Sequence, residues 1–273
     1  MKSRFYFESF CLKYLFLIWA FIGILFICNS CQNDEALQES EPSVEFRLTD
    51  GPAHYEELSI DIQQLFVKMK GQEEFSLALP NPGRYDLLKF KNGRDVLLAS
   101  ATLPPGEISE IRLVLGTNNT LTVEGIQYPL EVPSGMQRGL KLKSSHVLRG
   151  QELSRIWFDV DAARSVIMIG KSRFLLKPQV RIFTEKTNGV IEGSVVPSNA
   201  RPVVYALNSS NDTAAVALPN PNGFFKFSGL NEGLYQVIID PTNRDFKRQR
   251  RSNIEVSYFQ KAELNAVVLE REN

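Results

Sequence analysis

The sequence predicts an all-β protein in which two antiparallel β-sandwich domains follow a cleaved leader. Apolar and polar residues alternate in short segments from residue 43 to the end of the 273-residue chain. Turn-forming residues separate these segments, as at residues 80–83 (Pro-Asn-Pro-Gly) and 104–106 (Pro-Pro-Gly). Only residues 161–166 have the pattern of a helical turn. Regularly spaced short strands with such turns are typical of sandwiches and barrels.

The first element is a leader over residues 1–30. Lys2, Arg4 and Lys13 give it a basic start, and residues 14–28 form an apolar run. That run is shorter than the roughly twenty residues that a membrane-spanning helix needs. A basic start, a short apolar centre and a small residue before the cut are typical of a signal peptide. The high aromatic content leaves a stable signal anchor as the alternative.

The cysteines of the chain are Cys11, Cys28 and Cys31, so no disulfide can form in the part beyond residue 31. Cleavage after Ser30 would make Cys31 the new N-terminus. This arrangement resembles the lipobox of bacterial lipoproteins, although Cys28 stands where Leu is usual. The resemblance implies that Cys31 is acylated, carries palmitate and anchors the protein in the lipid bilayer.

Residues 31–42 are predicted to be a flexible tether, because they are polar, acidic and free of aromatic residues. As a coil, the segment spans roughly 18 Å. Residues 32–35 (Gln-Asn-Asp-Glu) are similar to the signal that exports Bacteroidetes lipoproteins to the outer face of the outer membrane. This similarity implies an outer-membrane lipoprotein exposed at the surface. A plain polar linker, with the cargo facing the periplasm, is the alternative.

The first domain is predicted over residues 43–186. Val44, Phe46 and Leu48 alternate with polar residues, which indicates a strand with one buried face. A second alternating segment changes phase near Gln63, which indicates a β-bulge. The remaining predicted strands are residues 75–79, 85–88, 108–115, 121–123, 126–130, 140–143, 154–159 and 174–182.

A series of ordered motifs in this domain resembles domain-of-unknown-function family 4382 (DUF4382), which occurs on exported prokaryotic proteins and lipoproteins. The motifs are residues 48–52 (Leu-Thr-Asp-Gly-Pro), 85–88 (Tyr-Asp-Leu-Leu), 103–106 with 111–113, 129–135, 139–142, 158–166 and 175–178 (Leu-Leu-Lys-Pro). The resemblance covers most of residues 43–183. It implies a fold and an envelope location, and it implies no activity.

The second domain is predicted over residues 187–273, with about seven short strands that suit a small Greek-key sandwich. Its motifs are residues 189–193 (Gly-Val-Ile-Glu-Gly), 223–227 (Gly-Phe-Phe-Lys-Phe) and 230–235 (Leu-Asn-Glu-Gly-Leu-Tyr). They are similar to those of the carboxypeptidase regulatory-like, transthyretin-like (prealbumin-like) domain. The similarity implies a structural or adhesive appendage.

The charge balance excludes a bulk electrostatic nucleic-acid binder. The chain has 31 basic and 31 acidic residues. The leader contains three basic residues and one acidic residue, so its removal leaves 28 and 30. A protein that binds nucleic acid through a general field needs the opposite sign.

The sequence contains few residues that indicate catalysis. Its two histidines are His54 and His146, and no cysteine follows residue 31, so a zinc site with nitrogen and sulfur ligands is not expected. Neither a nucleophile elbow nor a glycine-rich phosphate loop occurs. We therefore expect no catalytic residues and no cofactor.

The most notable carboxylates are Asp159 and Asp161, which are two residues apart on a predicted strand and share one face. Together with Asp50 or Asp61 they could hold Ca²⁺ through oxygen ligands. In the favoured interpretation, Asp161 caps the following turn and Asp159 pairs with an arginine.

Two surface features remain. Residues 247–251 (Lys-Arg-Gln-Arg-Arg) form a basic run that could contact anionic glycans or lipid headgroups, with a solvated loop as the favoured interpretation. Residues 212–214 (Asp-Thr-Ala) resemble a Bacteroidetes O-glycosylation motif, which makes Thr213 a candidate acceptor, while an ordinary surface turn is the alternative.

We expect a non-enzymatic, membrane-anchored lipoprotein with a structural, adhesive or ligand-binding role at the cell envelope. Its expected partners are the lipid bilayer and envelope glycans or proteins. The alternative function is a surface glycan-binding accessory protein, which requires an exposed aromatic row beside polar side chains. An enzyme would require carboxylates that converge in a pocket, so widely separated Asp50, Asp159 and Asp161 would argue against it.

Overall fold

The computed structural model describes residues 41–51 and 53–272, and residues 41–273 form one compact unit. The predicted leader, Cys31 and most of the predicted tether lie outside the described residues. The described chain is all-β, as the alternation predicts. Within it, no helix is long and apolar enough to cross a membrane.

The described elements are strands, one short helix and several 3₁₀ turns. The strands are β1 (Ser43–Gly51), β2 (Glu57–Met69), β3 (Glu74–Leu77), β4 (Gly83–Asp86), β5 (Val96–Thr102), β6 (Gly106–Leu115), β7 (Thr120–Val123), β8 (Ile126–Glu131), β9 (Leu140–Leu148), β10 (Leu153–Asp161), β11 (Val166–Met168), β12 (Phe174–Leu176), β13 (Val180–Thr184), β14 (Gly189–Val196), β15 (Pro202–Leu207), β16 (Thr213–Ala217), β17 (Phe224–Leu230), β18 (Gly233–Pro241), β19 (Gln249–Val256), β20 (Lys261–Glu263) and β21 (Val267–Val268). The helix is α1 (Ala162–Ser165), and the 3₁₀ turns are Leu87–Phe90, Ser134–Met136, Glu185–Thr187 and Ser198–Ala200.

The described residues form four sheets. The strand orders are β13-β10-β1-β5; β11-β12-β8-β7-β2-β6-β9, with β3 and β4 also paired to β2; β17-β14-β20, with β21 also paired to β14; and β16-β15-β18-β19. Most neighbours are antiparallel, as predicted. Four pairs are parallel: β1 with β10, β8 with β12, β14 with β20, and β14 with β21. The sheets are therefore mixed.

The local predictions succeed where alternation is clear. The phase change in β2 is a register shift between Ile62 and Gln64 in its pairing with β6, as the sequence predicts for a bulge. The strand predicted over residues 85–88 is wrong in its second half. Asp86 accepts a hydrogen bond from the Leu88 amide at 3.3 Å, and this cap starts the turn Leu87–Phe90.

The described residues contain two hydrophobic cores. The first core lies between the first two sheets, where the Phe46 and Phe158 rings stack with centroids 6.0 Å apart. The second core lies between the last two sheets and is centred on Phe225 and Phe227, which are 0% and 2% exposed. Burying a large aromatic side chain removes 150–250 Å² from water, so these rings dominate the packing.

Candidate functional site

A cleft of about 580 Å³ lies where residues of the first-core sheets face residues of the second-core sheets. One wall comes from the ends of β1 and β10, from α1 and from β13. The other wall comes from β15, β16 and β17 and includes Tyr205 and Thr213. Grooves between packed units are common ligand sites.

The parallel pairing of β1 and β10 brings the three predicted aspartates to this cleft. The register places Thr49 beside Asp159, Asp50 beside Val160 and Gly51 beside Asp161. Because the strands run in the same direction, their carboxyl ends meet at one edge of the sheet. Asp50, Asp159 and Asp161 all line the cleft.

Asp161 caps α1. Its Oδ1 accepts from the Arg164 amide at 2.9 Å, and its Oδ2 accepts from Arg164 Nε at 2.6 Å. Asp159 pairs with Arg181. Burial raises the pKa of Asp159, and the Arg181 guanidinium opposes this increase. The favoured interpretation of these two carboxylates, a cap and an arginine pair, is therefore confirmed.

Asp50 differs from both, because it has no charged partner in the described residues. Its Oδ1 accepts from the Ala162 amide at 3.2 Å, and its Oδ2 is buried without a hydrogen bond. The side chain is 6% exposed. Burial raises its pKa well above the usual range, the negative charge of Asp159 adds to the increase, and the Ala162 amide opposes it. Burial therefore favours the neutral form of Asp50.

The arrangement does not gather enough ligands for a cation. In the described part of the chain, no group of three or more His, Cys, Asp or Glu side chains could hold a metal ion. The suggestion that Asp61 joins the set is wrong, because Asp61 does not line the cleft and binds Gln63 and the Asn118 amide instead. Each of Asp159 and Asp161 already has an arginine partner.

Arg181 is the residue that sequence reasoning missed. Besides Asp159, it donates to the carbonyl oxygens of Ser228 at 2.7 Å and Gly229 at 3.0 Å. Its three partners therefore link β10 of the first core to β17 of the second. No local signal marks Arg181, since its partners are distant in the sequence.

Gly229 lies where β17 packs closely against Phe183 of β13, a contact that we call the junction. It has a φ of +67°, and a Cβ there would lie 2.4 Å from the Phe183 ring. Its amide donates to Asn188 Oδ1 at 2.6 Å. Only glycine fits a position that needs both a left-handed backbone and such a close approach.

The cleft is close to electrically neutral. Its arginines, Arg164 and Arg181, are paired with aspartates, and Lys226 lies 3.6 Å from Glu192. The half-buried Tyr205 and the exposed Thr213 add hydroxyl groups, and Asn92 and Gln179 add amides. This surface suits an uncharged polar ligand better than an ion.

The carboxylates converge, but their accessibility does not favour catalysis. A general acid or base must reach the proton that it transfers. Asp50 Oδ2 is buried, and the other two carboxylates are held by arginines. His54 is exposed and lines the same cleft, and its side chain makes no hydrogen bond or ion pair with the described residues. The geometry supports binding.

Several other aromatic residues and His146 lie outside the cleft. Phe158, Phe225 and Tyr235 are buried in the two cores. Phe259 is 77% exposed at a turn and does not line the cleft, so the described residues show no aromatic row there. His146 lines a separate cavity of about 280 Å³, where burial lowers its pKa.

The basic run is a strand in part. Lys247 and Arg248 precede β19, whereas Arg250 and Arg251 lie within it, so the loop interpretation is wrong for the second half. Thr213 is the first residue of β16, and its modification stays a prediction.

Comparison with known families places this fold. The model of the family described as "Domain of unknown function (DUF4382)" matches residues 42–178, half of the chain. The chain belongs to the DUF4382 family. The match covers the first core and both aspartate-bearing strands of the cleft, and the family resemblance that the motifs predict is confirmed. A comparison with curated proteins found no match.

Solved structures with some similarity come from bacteria and include pilin subunits. The Bacillus anthracis TIE protein is 11% identical, with a TM-score of 0.23 over 86% of this chain, which spans 35% of that one. GBS52, the minor pilin of Streptococcus agalactiae, is 9% identical, with a TM-score of 0.25 over 84% of this chain and 96% of that one. BcpA, the major pilin subunit of Bacillus cereus, is 14% identical, with a TM-score of 0.23 over 84% and 70%. At these scores the similarity carries no functional argument.

Proposed function

We propose that this DUF4382 protein is a non-enzymatic lipoprotein of the outer membrane with a structural or adhesive role in the cell envelope. The observation that supports it is the position of Cys31. It follows a short apolar run and Ser30, and no cysteine occurs after it. In this proposal, the lipid holds residues 43–186 and 187–273 as two β domains on a short tether. The same proposal includes residues 32–35 as the signal that directs these domains to the outer face of the outer membrane.

Labelling with a palmitate analogue in producing cells tests the anchor. We expect the label on the wild-type chain and on Cys28→Ala, and none on Cys31→Ala. The Cys28→Ala variant is the matched control, since it changes a neighbouring thiol in the same run. Label that persists in Cys31→Ala would overturn the assignment.

A second candidate function is supported by the cleft. Its arginines are paired with aspartates, burial raises the pKa of Asp50, and its remaining walls present hydroxyl and amide groups beside Tyr205. Sugar hydroxyls both donate and accept hydrogen bonds, and an aromatic ring can cover the apolar face of a sugar. We infer that the cleft suits a neutral saccharide that Tyr205 and the polar groups would hold, without the exposed aromatic row that the glycan-binding alternative requires.

A glycan array followed by calorimetry tests the cleft. For a glycan that binds, we expect Tyr205→Ala to weaken the affinity by at least about fivefold, the usual effect of losing a central aromatic contact. Tyr258→Ala, a half-buried tyrosine outside the cleft, is the control and should bind normally. Equal affinity of the two variants would place the glycan elsewhere.

A further inference from the structure

One end of the second-core sheets concentrates positive charge. The sequence shows the run at residues 247–251 with Arg244 just before it, and the fold adds two cations from distant positions, Arg201 and Arg271. We call the resulting set the basic end, and its members are Arg201, Arg244, Lys247, Arg248, Arg250, Arg251 and Arg271. All are exposed except Lys247, which is half-buried. None of them lines the cleft.

Backbone hydrogen bonds hold these segments together. The Thr242 amide donates to the Arg201 carbonyl at 3.3 Å, and the Lys247 amide donates to the Glu270 carbonyl at 2.8 Å. A β-bridge joins Phe246 to Arg271. The buried Phe246, which is 6% exposed, fixes the centre of this region. The positions of the cations are therefore set by the fold.

The basic end makes no ion pair among the described residues. The other two cations of the second-core sheets, Lys226 and Lys261, both pair with Glu192. Acidic residues do occur nearby, at Asp245, Glu270 and Glu272, but none of them forms a salt bridge with the seven. The cations of the basic end are therefore available to bind an anionic partner.

An apolar pair lies beside these charges. Val196 and Val268 are neighbours in the parallel pairing of β14 and β21, and they are 38% and 64% exposed. Gln249, which stands between Arg248 and Arg250 in the sequence, donates from Nε2 to the Val268 carbonyl at 2.8 Å. The two valines therefore adjoin the basic run.

We propose that the basic end is a docking site for the anionic headgroups of a lipid bilayer. Apolar side chains rimmed by Lys and Arg are the combination that binds such a surface, since the valines can enter the headgroup region while the cations meet phosphates. The contact is non-covalent and is separate from the proposed acylation of Cys31. It would orient the second-core sheets against the membrane.

Vesicle flotation of the full chain tests this proposal. The probes are phosphatidylcholine vesicles with and without phosphatidylglycerol, and the measured quantity is the ratio of the two partition coefficients. The leader and any acyl chain contribute equally to every variant, so a comparison of ratios between variants isolates the basic end.

One variant carries Arg244→Gln, Arg248→Gln, Arg250→Gln and Arg251→Gln. Its matched control carries Lys68→Gln, Arg138→Gln, Lys143→Gln and Arg149→Gln, which removes the same charge from exposed, unpaired sites.

We expect the ratio to fall by more than about tenfold in the first variant, since each cation near an anionic surface contributes about fivefold. The control should keep most of the wild-type ratio. The preference should also shrink as salt rises from about 0.1 M to about 1 M, where the screening length falls from about 10 Å to about 3 Å. Circular dichroism checks that both variants fold.

Three results would overturn the proposal. An equal ratio for both four-site variants contradicts it, because the vesicle preference would then depend only on net charge. Wild-type protein that shows no preference for phosphatidylglycerol contradicts it directly. Binding to double-stranded DNA that the basic-end variant loses, without any vesicle preference, would assign these cations to a different polyanion.

Discussion

The cleft and the basic end are both rich in charge, but they use it differently. In the cleft, Arg164 and Arg181 each have an aspartate partner, and Arg181 also binds two carbonyl groups. At the basic end, the cations have no carboxylate partner in the described chain. Paired charges with several hydrogen bonds fix geometry, whereas exposed unpaired charges contribute little to folding and remain available for recognition. The difference assigns the cleft cations to structure and the basic-end cations to binding.

The first test asks whether the paired arginine of the cleft, Arg181, stabilises the fold. Arg181→Ala leaves Asp159, whose side chain is 14% exposed, without its partner and frees two carbonyl groups. We expect a loss of about 2–3 kcal/mol in the free energy of unfolding, measured by urea denaturation. Arg173→Ala is the control, because Arg173 and Glu131 are 65% and 53% exposed, and it should cost at most about 1 kcal/mol. If Arg181→Ala and Arg173→Ala lose the same free energy of unfolding, Arg181 has no special structural role.

The junction glycine provides the second test. Gly229→Ala places a Cβ against the Phe183 ring on a left-handed backbone. We expect it to destabilise the protein by about 1–3 kcal/mol, measured by thermal unfolding. Gly125→Ala is the control for backbone strain alone, since Gly125 has a φ of +73° and nothing within 4 Å of the new atom. If the control costs as much, close packing at the junction does not matter.

The third test uses the buried, unpartnered carboxyl of Asp50. Its pKa is raised in the folded state, so between the unfolded and folded pKa values the folded protein binds more protons. Stability from this group is therefore present below an unfolded pKa of about 4 and is lost as pH rises through the folded pKa. We expect Asp50→Asn to have a higher Tm than wild type at pH 8, with the gap closing toward about pH 4.

Calorimetry across that pH range measures the gap. Asp245→Asn, at an exposed turn, is the control and should change the Tm at pH 8 by much less than Asp50→Asn does. A constant offset for Asp50→Asn at every pH would contradict a role for ionisation at this site.

The fourth test asks whether the arginines of the basic end contribute to the stability of the fold. Replacing Arg250 and Arg251 by Gln should change the free energy of unfolding by no more than about 0.5 kcal/mol, since neither is ion-paired and both are exposed. Urea denaturation beside Arg181→Ala provides the measurement. A loss comparable to that of Arg181→Ala would mean that the basic end also has a structural role.

Sequence reasoning finds what local chemistry determines. The bulge in β2 and the Asp161 cap both follow from a few consecutive residues, and both are present. The sequence does not predict β16, because its Thr-Ala-Ala-Val-Ala segment has little β propensity and no clear alternation. β5 was missed for a related reason, since its Val-Leu-Leu-Ala run lacks a period of two.

The site shows the same limit. The sequence identifies its aspartates and predicts an arginine partner for Asp159. It does not identify Arg181, which is 22 residues away, or Tyr205, which reaches the cleft from the other core. Arg201 and Arg271 join the basic run only through the fold. Long-range pairing determines such sets, and spacing along the chain does not encode it.

The parallel pairing of β1 with β10 also determines when the chain can fold. Glu45 and Arg155, which form an ion pair across these strands, are 110 residues apart. At a synthesis rate of 5–20 residues per second, β10 follows β1 by roughly 5 to 20 seconds. During that time β1 can pair only with β5, so its other edge stays unpaired even though β2 and β6 of the facing sheet are already made. The first sheet therefore stays incomplete until β10 and β13 are made, and a chain that stops before Leu153 keeps an unpaired, aggregation-prone strand edge.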